Sequence, residues 1–363
     1  MPTNETTPPG QLPTTPEEIT ATWLAEVLGF KIKRAELTKA ILDATASKLF
    51  VAVTYDNDDD NSGETSRPRF LCIKGGFNPS VIKAYPHVLG MYQREADFFN
   101  QVAPTLSHID FPKAWWASSK GNQGLVIMDD LSAHGAEFGS GALEWPVERV
   151  LAGVEQLAGL HAGTWGHTNA DYPWLKDPDL YDQIMFDLCD MWDALVLAPN
   201  RPPVPDGLKD QKRTKAALRK HFLSRNPKFR CLVHGDAHTG NTYLLQGAPK
   251  FLDWQTIHVA SAFHDVSYFI TGTLSIEDRR SHEMRILDHY LDSLARFGAP
   301  RFSSKDEDVL IEYRKSMLSG YGWITAPYEV QSEPKVRAMV PRYCAALTDH
   351  QTFELIESLP AVE

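Results

Sequence analysis

The feature that most constrains this chain is a change of hydrophobic period near residue 130. Before it, short runs with strand character dominate: Leu49 to Tyr55, Phe70 to Lys74, Lys113 to Ala117 and Gly124 to Met128. After it the spacing is helical, from Val147 to about Trp165, over 179–195, up to Ser224, and over 262–273, 277–297, 306–325 and 333–358. A chain that spends its strands first and its helices later folds as α+β with segregated lobes, not as an alternating parallel sheet. Its 363 residues are enough for two cores. The predicted organisation is a disordered Thr/Pro-rich tail over 1–15, a small β-rich N-terminal lobe over 16–130 and a larger, mainly helical lobe over 131–363.

Local signals sharpen the first lobe. Thr15-Pro16-Glu17-Glu18 forms a capping box, Ile19, Trp23, Leu24, Val27 and Leu28 make one apolar stripe, and Gly29 stops that helix. Asp56 to Gly63 reads as an exposed hairpin loop. A helix over His87–Val102 buries Val88, Met91, Tyr92, Phe98 and Phe99, yet Glu95 falls within that apolar face. A carboxylate there requires a partner.

Composition excludes several functions. A net charge of −11 without any local Lys/Arg cluster speaks against a nucleic-acid partner. Four scattered cysteines with no CxxC speak against a disulfide framework or a zinc site. No charged leader and no run of 18 apolar residues is present, so the expectation is a cytoplasmic protein without a membrane partner.

The chemistry concentrates in Val233-His234-Gly235-Asp236-Ala237-His238-Thr239-Gly240-Asn241, followed by Phe251-Leu252-Asp253-Trp254. So many polar groups beside strand-like apolar residues need a use. One reading is a metallohydrolase: His234, Asp236 and His238 alternate, and His264-Asp265 adds ligands. Gly235 and Ala237 interrupt the strand, however, and Asn241 and Asp253 are left without a task. Phosphoryl transfer uses more of them, with Asp236 as base and Asn241 and Asp253 as oxygen ligands for Mg²⁺. A hairpin of Thr242–Gln246 and Lys250–Trp254 around Gly247-Ala248-Pro249, with Gln246 opposite Lys250, places Tyr243 opposite Asp253 and Asn241 nearby. Lys74, ending its strand, then pairs with Glu95 and aims its ammonium at phosphates.

Lys74, Glu95, His234-Gly235-Asp236-x-His238-x-Gly240-Asn241 and Leu252-Asp253-Trp254, in this order, resemble the aminoglycoside phosphotransferase/choline kinase superfamily. Leu125–Ser132, Leu157–Ala162 and His264–Phe269 are most similar to its ecdysteroid-kinase-like branch, and the resemblance spans about residues 20–355. It implies a protein-kinase-like bilobal fold and transfer of the ATP γ-phosphate to a small-molecule hydroxyl. By position, Lys74 holds the α/β-phosphates, Glu95 orients Lys74, Asp236 is the base, and Asn241 and Asp253 ligate Mg²⁺. Residues 127–131, including Met128, Asp129 and Leu131, are the linker that meets adenine. His234 and Asp265 brace the catalytic loop, and His238 either contacts the transferring phosphate or supports that loop. The chain departs from the pattern at the phosphate loop, Asp43–Leu49, which has no glycine and offers Ser47 and Lys48 as donors. A ligand-binding pseudokinase is the reading that this departure keeps open.

Two stretches compete for the acceptor. The acidic face of 179–195 (Asp179, Asp182, Asp190, Asp193) suits a cationic acceptor such as an aminoglycoside or a choline-like amine. The aromatic run Tyr321–Tyr328 suits a sterol, a terpenoid or another apolar or mixed alcohol. The branch resemblance favours the alcohol.

Overall fold

The computed structural model describes residues 11–42, 45–55 and 67–361. The chain divides into two compact units: residues up to 105 with 111–136 and 253–255, and residues 106–110, 137–252 and 256 onward. Of the tail expected over 1–15, residues 1–10 lie outside the described residues. Leu12 packs on the first unit's core, and the carbonyl of buried Pro13 accepts from Gln123 Nε2 at 2.9 Å. The hairpin loop expected over Asp56–Gly63 also lies outside the described residues.

In the first unit, α1 (Ala21–Leu28) is capped by Thr20, whose side chain accepts from the Trp23 amide, and ends at Gly29 with φ +73°. A five-stranded antiparallel sheet follows, in the order β1 (Ile32–Ile41), β2 (Ser47–Tyr55), β3 (Phe70–Gly75), β5 (Gln123–Asp129) and β4 (Ala114–Lys120). β2 alternates cleanly, so Leu49, Val51, Val53 and Tyr55 face a core shared with Leu24, Leu71, Ile73, Leu125 and Ile127. β1 is absent from the sequence reading. It is a sheet edge with two register shifts, and seven of its ten residues are exposed, four of them charged, so no period of two is visible. Between β3 and β4 come α2 (Pro79–Ala84) and α3 (Val88–Gln101). Gly124 lets β5 approach α3: a Cβ there would lie 2.1 Å from the Tyr92 carbonyl oxygen.

The second unit is mainly helical. β6 (Glu137–Phe138) precedes α4 (Val147–Gly163), α5 (Leu180–Asp190) and α6 (Gln211–Leu223). Two short ribbons come next, formed by β7 (Arg230–Val233), β8 (Thr242–Leu245), β9 (Ala248–Phe251) and β10 (His258–Ser261) in the orders β10-β7 and β6-β8-β9. α7 (Phe263–Thr273) is buried on every side, as an element central to a core must be. α8 (Ile276–Arg296) and α9 (Glu307–Ser316) follow. The single helix expected over 306–325 is instead α9, a 3₁₀ turn over Met317–Gly320 and α10 (Tyr321–Ile324). The helix expected over 333–358 breaks into α11 (Glu333–Asp349) and α12 (Thr352–Ser358), because Gln351 takes φ +48°. No helix of the described residues is long and apolar enough to cross a membrane.

The β8–β9 register corrects the sequence reading. Gln246 and Gly247 take φ +54° and +81° and form a two-residue turn, the geometry whose twist suits a tight hairpin. Leu245 therefore faces Ala248 and Tyr243 faces Lys250, three residues from the expected pairing. Leu252, not Asp253, comes back beside Asn241, donating its amide to the Asn241 carbonyl at 2.8 Å.

Candidate active site

In the first unit, Lys74 ends β3 and Glu95 comes from α3. The Lys74 ammonium donates to both Glu95 carboxylate oxygens, at 2.9 and 2.7 Å, and to Asp253 Oδ1 at 2.6 Å. Burial alone would lower the Lys74 pKa, but the carboxylates of Asp253 and Glu95 raise it above the usual lysine range, so the cation is permanent. Glu95 also accepts the Trp254 amide at 3.0 Å, and the Trp254 ring stacks on Phe98 at 4.6 Å. Asp253, with φ +66°, thereby reaches Lys74, a contact that sequence spacing did not signal.

The remaining residues expected of this unit lie in or directly beside its sheet. Ser47 opens β2, buried and opposite Gly75. Residues 43 and 44 of the expected phosphate loop lie outside the described residues, and the loop's Thr45 carbonyl accepts from Tyr92 OH at 2.5 Å. Met128 is buried in β5, between Cys72 and Ala114. Asp129 Oδ1 accepts from Trp115 Nε1 at 2.6 Å, and the amides of Asp129 and Asp130 donate to the carbonyls of Lys113 and Phe70. Those two linker donors are consumed within the unit. Leu131 opens a 3₁₀ turn capped by Asp130.

In the second unit, β7 delivers the polar stretch into a loop gripped by α7. The Asp265 carboxylate accepts from the amides of His234 at 2.6 Å and Gly235 at 2.9 Å, and His161 Nε2 lies 3.1 Å from Asp265 Oδ2. Burial alone would push this carboxyl up, yet the His161 hydrogen bond and the surrounding histidines hold it well below the usual range. His264 Nε2 donates to the Gly235 carbonyl at 3.2 Å. His234 Nδ1 accepts from the Asp236 amide at 3.3 Å, which leaves Nε2 to carry the proton it donates to the Leu252 carbonyl at 2.8 Å. Both nitrogens of His234 are thus occupied, and His238 Nδ1 accepts from the Gly240 amide at 2.9 Å. The described residues contain no group of three His, Cys, Asp or Glu side chains suited to a metal ion. The metallohydrolase reading loses its ligands.

Asp236 is different from its neighbours. Its side chain is 30% exposed, whereas those of His234, His238 and Thr239 in the same loop are buried. Oδ1 accepts from Tyr268 OH and Oδ2 from Asn241 Nδ2, both at 3.0 Å, and His238 Nε2 lies 3.5 Å from Oδ2. Asn241 Nδ2 also donates to the Asp236 carbonyl at 3.0 Å. An amide that faces a carbonyl and a carboxylate must present its nitrogen, so Asn241 Oδ1 points away as a hard oxygen donor. An Asn oxygen and the Asp253 carboxylate are donors of the type Mg²⁺ takes. His161, whose Nδ1 lies 2.8 Å from Tyr290 OH, and Tyr268 had no role in the sequence reading, since each of the three sits in an apolar helical pattern that reads as core.

Gly235 has φ +83°, and a Cβ there would lie 2.4 Å from the Thr256 carbonyl oxygen. Gly235→Ala is expected to cost more than about 2 kcal/mol of stability, from the left-handed conformation and the clash together. Urea unfolding measures it.

Comparisons agree with this architecture. A putative aminoglycoside phosphotransferase from Ralstonia eutropha superposes with TM-score 0.52 at 12% identity, over 94% of this chain and 98% of its own. A choline kinase from Cryptosporidium parvum gives 0.52 at 12%, over 89% and 90%. The chain has the aminoglycoside phosphotransferase/choline kinase fold. An amicoumacin kinase, solved with AMP-PNP, Ca²⁺ and its antibiotic, gives 0.50 at 14%, over 93% and 92%. A family model, DUF1679, described as "Uncharacterized oxidoreductase dhs-27", matches residues 228–301. No curated protein matches the chain. The matched stretch contains no G-x-G-x-x-G, the cradle a dinucleotide-binding oxidoreductase needs.

Proposed function

We propose that this protein is an ATP-dependent small-molecule kinase of the ecdysteroid-kinase-like branch, phosphorylating a hydroxyl of an uncharged, apolar or mixed alcohol. The observation that carries the reading is Asp236, a partly exposed carboxylate held by Asn241 in a loop whose His234, His238 and Thr239 are buried. Asp236 orients the acceptor hydroxyl and receives its proton as the new P–O bond forms and the bond to the ADP oxygen breaks. Lys74, kept cationic and oriented by Glu95, binds the α/β-phosphates. Asn241 and Asp253 would hold Mg²⁺, which when bound offsets phosphate charge. Lys74 then exchanges its contact with Asp253 for phosphate oxygens.

The acidic face gives little support to a cationic acceptor. Asp182 is ion-paired with Arg225 (Nη1 to Oδ2, 3.0 Å) and Asp190 with Lys215, while Asp179 and Asp193 are exposed. Trp323 from the aromatic run is buried with its ring edge-on to His238 at 5.1 Å, an apolar wall beside the loop that carries Asp236. Mg²⁺–ATP is expected to raise the melting temperature, increasingly as its concentration passes its Kd. A thermal-shift titration showing no effect of Mg²⁺–ATP, and stabilisation by Zn²⁺ instead, would contradict the kinase reading.

A further inference from the structure

We propose that Tyr268 is the positioning residue of the catalytic carboxylate, its hydroxyl fixing Asp236 in the rotamer that meets the acceptor. The proposal rests on the reading of Asp236 as base and adds a residue to it. Tyr268 lies on α7, whose His264 and Asp265 already fix the backbone of the same loop at Gly235 and His234. Backbone anchors leave the Asp236 side chain two torsions to choose; the Tyr268 O–H···Oδ1 bond at 3.0 Å removes that freedom.

The donor is itself immobilised. Tyr343 OH donates to the Tyr268 carbonyl at 2.9 Å, its ring lies 5.3 Å from that of Tyr268, and the His264 ring lies nearly parallel to Tyr268 at 6.2 Å. Burial, and then the charge of Asp236, push the Tyr268 hydroxyl well above the usual tyrosine range. It therefore keeps its proton, and with it the donor role, at neutral pH. Asn241 Nδ2 on Oδ2 and His238 Nε2 at 3.5 Å also face the carboxylate, and the hydroxyls of Tyr181 and Tyr343 feel its charge. With one oxygen held by Tyr268 and the other by Asn241, the carboxylate plane is set from two sides.

Tyr268→Phe removes one oxygen and keeps the ring packing. With ADP release from Mg²⁺–ATP as the assay and water as the acceptor, kcat should fall about 10- to 100-fold, as expected for losing one hydrogen bond to a charged group. KM for ATP should stay within about twofold. In an Asp236→Asn background, Tyr268→Phe should change nothing further. Tyr343→Phe, which frees the Tyr268 carbonyl, should lower kcat by less with KM for ATP unchanged, so the idea stays testable if Tyr268→Phe folds poorly. Wild-type kcat in Tyr268→Phe, beside an inactive Asp236→Ala, would overturn the positioning role and leave the base assignment standing. Full activity in Asp236→Ala would overturn both.

Discussion

Asp236→Ala is expected to abolish phosphoryl transfer, a loss of about 10³-fold or more, while ATP binding and melting temperature stay close to those of the unmodified protein. The argument is geometric. Asp236 contributes its amide, not its carboxylate, to the bond with His234, and the amides of His234 and Gly235 are held by Asp265. Removing the carboxylate therefore leaves the loop's backbone anchors in place. It does free Tyr268 OH and Asn241 Nδ2 from their acceptor, but at a position open enough for water to replace it. General-base and orienting carboxylates each supply several orders of magnitude of rate. A steady-state assay beside an ATP-binding titration separates this outcome from a folding defect.

Lys74→Ala is expected to act on stability as well as on nucleotide use. Lys74 and Glu95 are 4% and 3% exposed, so the substitution strands a buried carboxylate. Breaking one side of a buried ion pair costs about 3–5 kcal/mol, enough to remove much of the margin of a small unit. Glu95 keeps the Trp254 amide as a donor, which offsets part of that cost. Lys74→Ala combined with Glu95→Gln should recover stability without recovering ATP affinity, because the buried charge is gone while the phosphate ligand is still missing. Denaturant unfolding and nucleotide binding, read on the single and double variants, test the two halves separately. If Lys74→Ala were as stable as the unmodified protein, the pair would not be structurally coupled in solution.

The parts of the fold that the sequence made legible are those where one face is buried and the other is not. β2 alternates, α3 carries a stripe, and the misplaced charge of Glu95 on that stripe led directly to Lys74. β1 was missed for the converse reason: an edge strand of Lys, Arg, Glu and Thr has little apolar face to reveal it. The hairpin register was missed because Gln246, which is not glycine, takes a positive φ. Asp253 was expected only as an oxygen ligand, and its ion pair with Lys74 depends on a left-handed backbone at Asp253 that no local pattern announces. Tyr268 was visible as a letter in His264–Phe269 but indistinguishable from its apolar helical neighbours. Periodicity reports burial; it does not report which buried hydroxyl meets which carboxylate.

The most direct test of the central claim is mass-spectrometric detection of phosphorylated product after incubation with Mg²⁺–ATP and a panel of sterols, terpenoid alcohols, sugars and hydroxylated amines. The account predicts a phosphate ester of an uncharged alcohol, formed with stoichiometric ADP and absent with Asp236→Ala. Phosphorylation confined to the cationic acceptors would contradict the acceptor class, and product formed equally by the Asp236→Ala protein would contradict the mechanism itself.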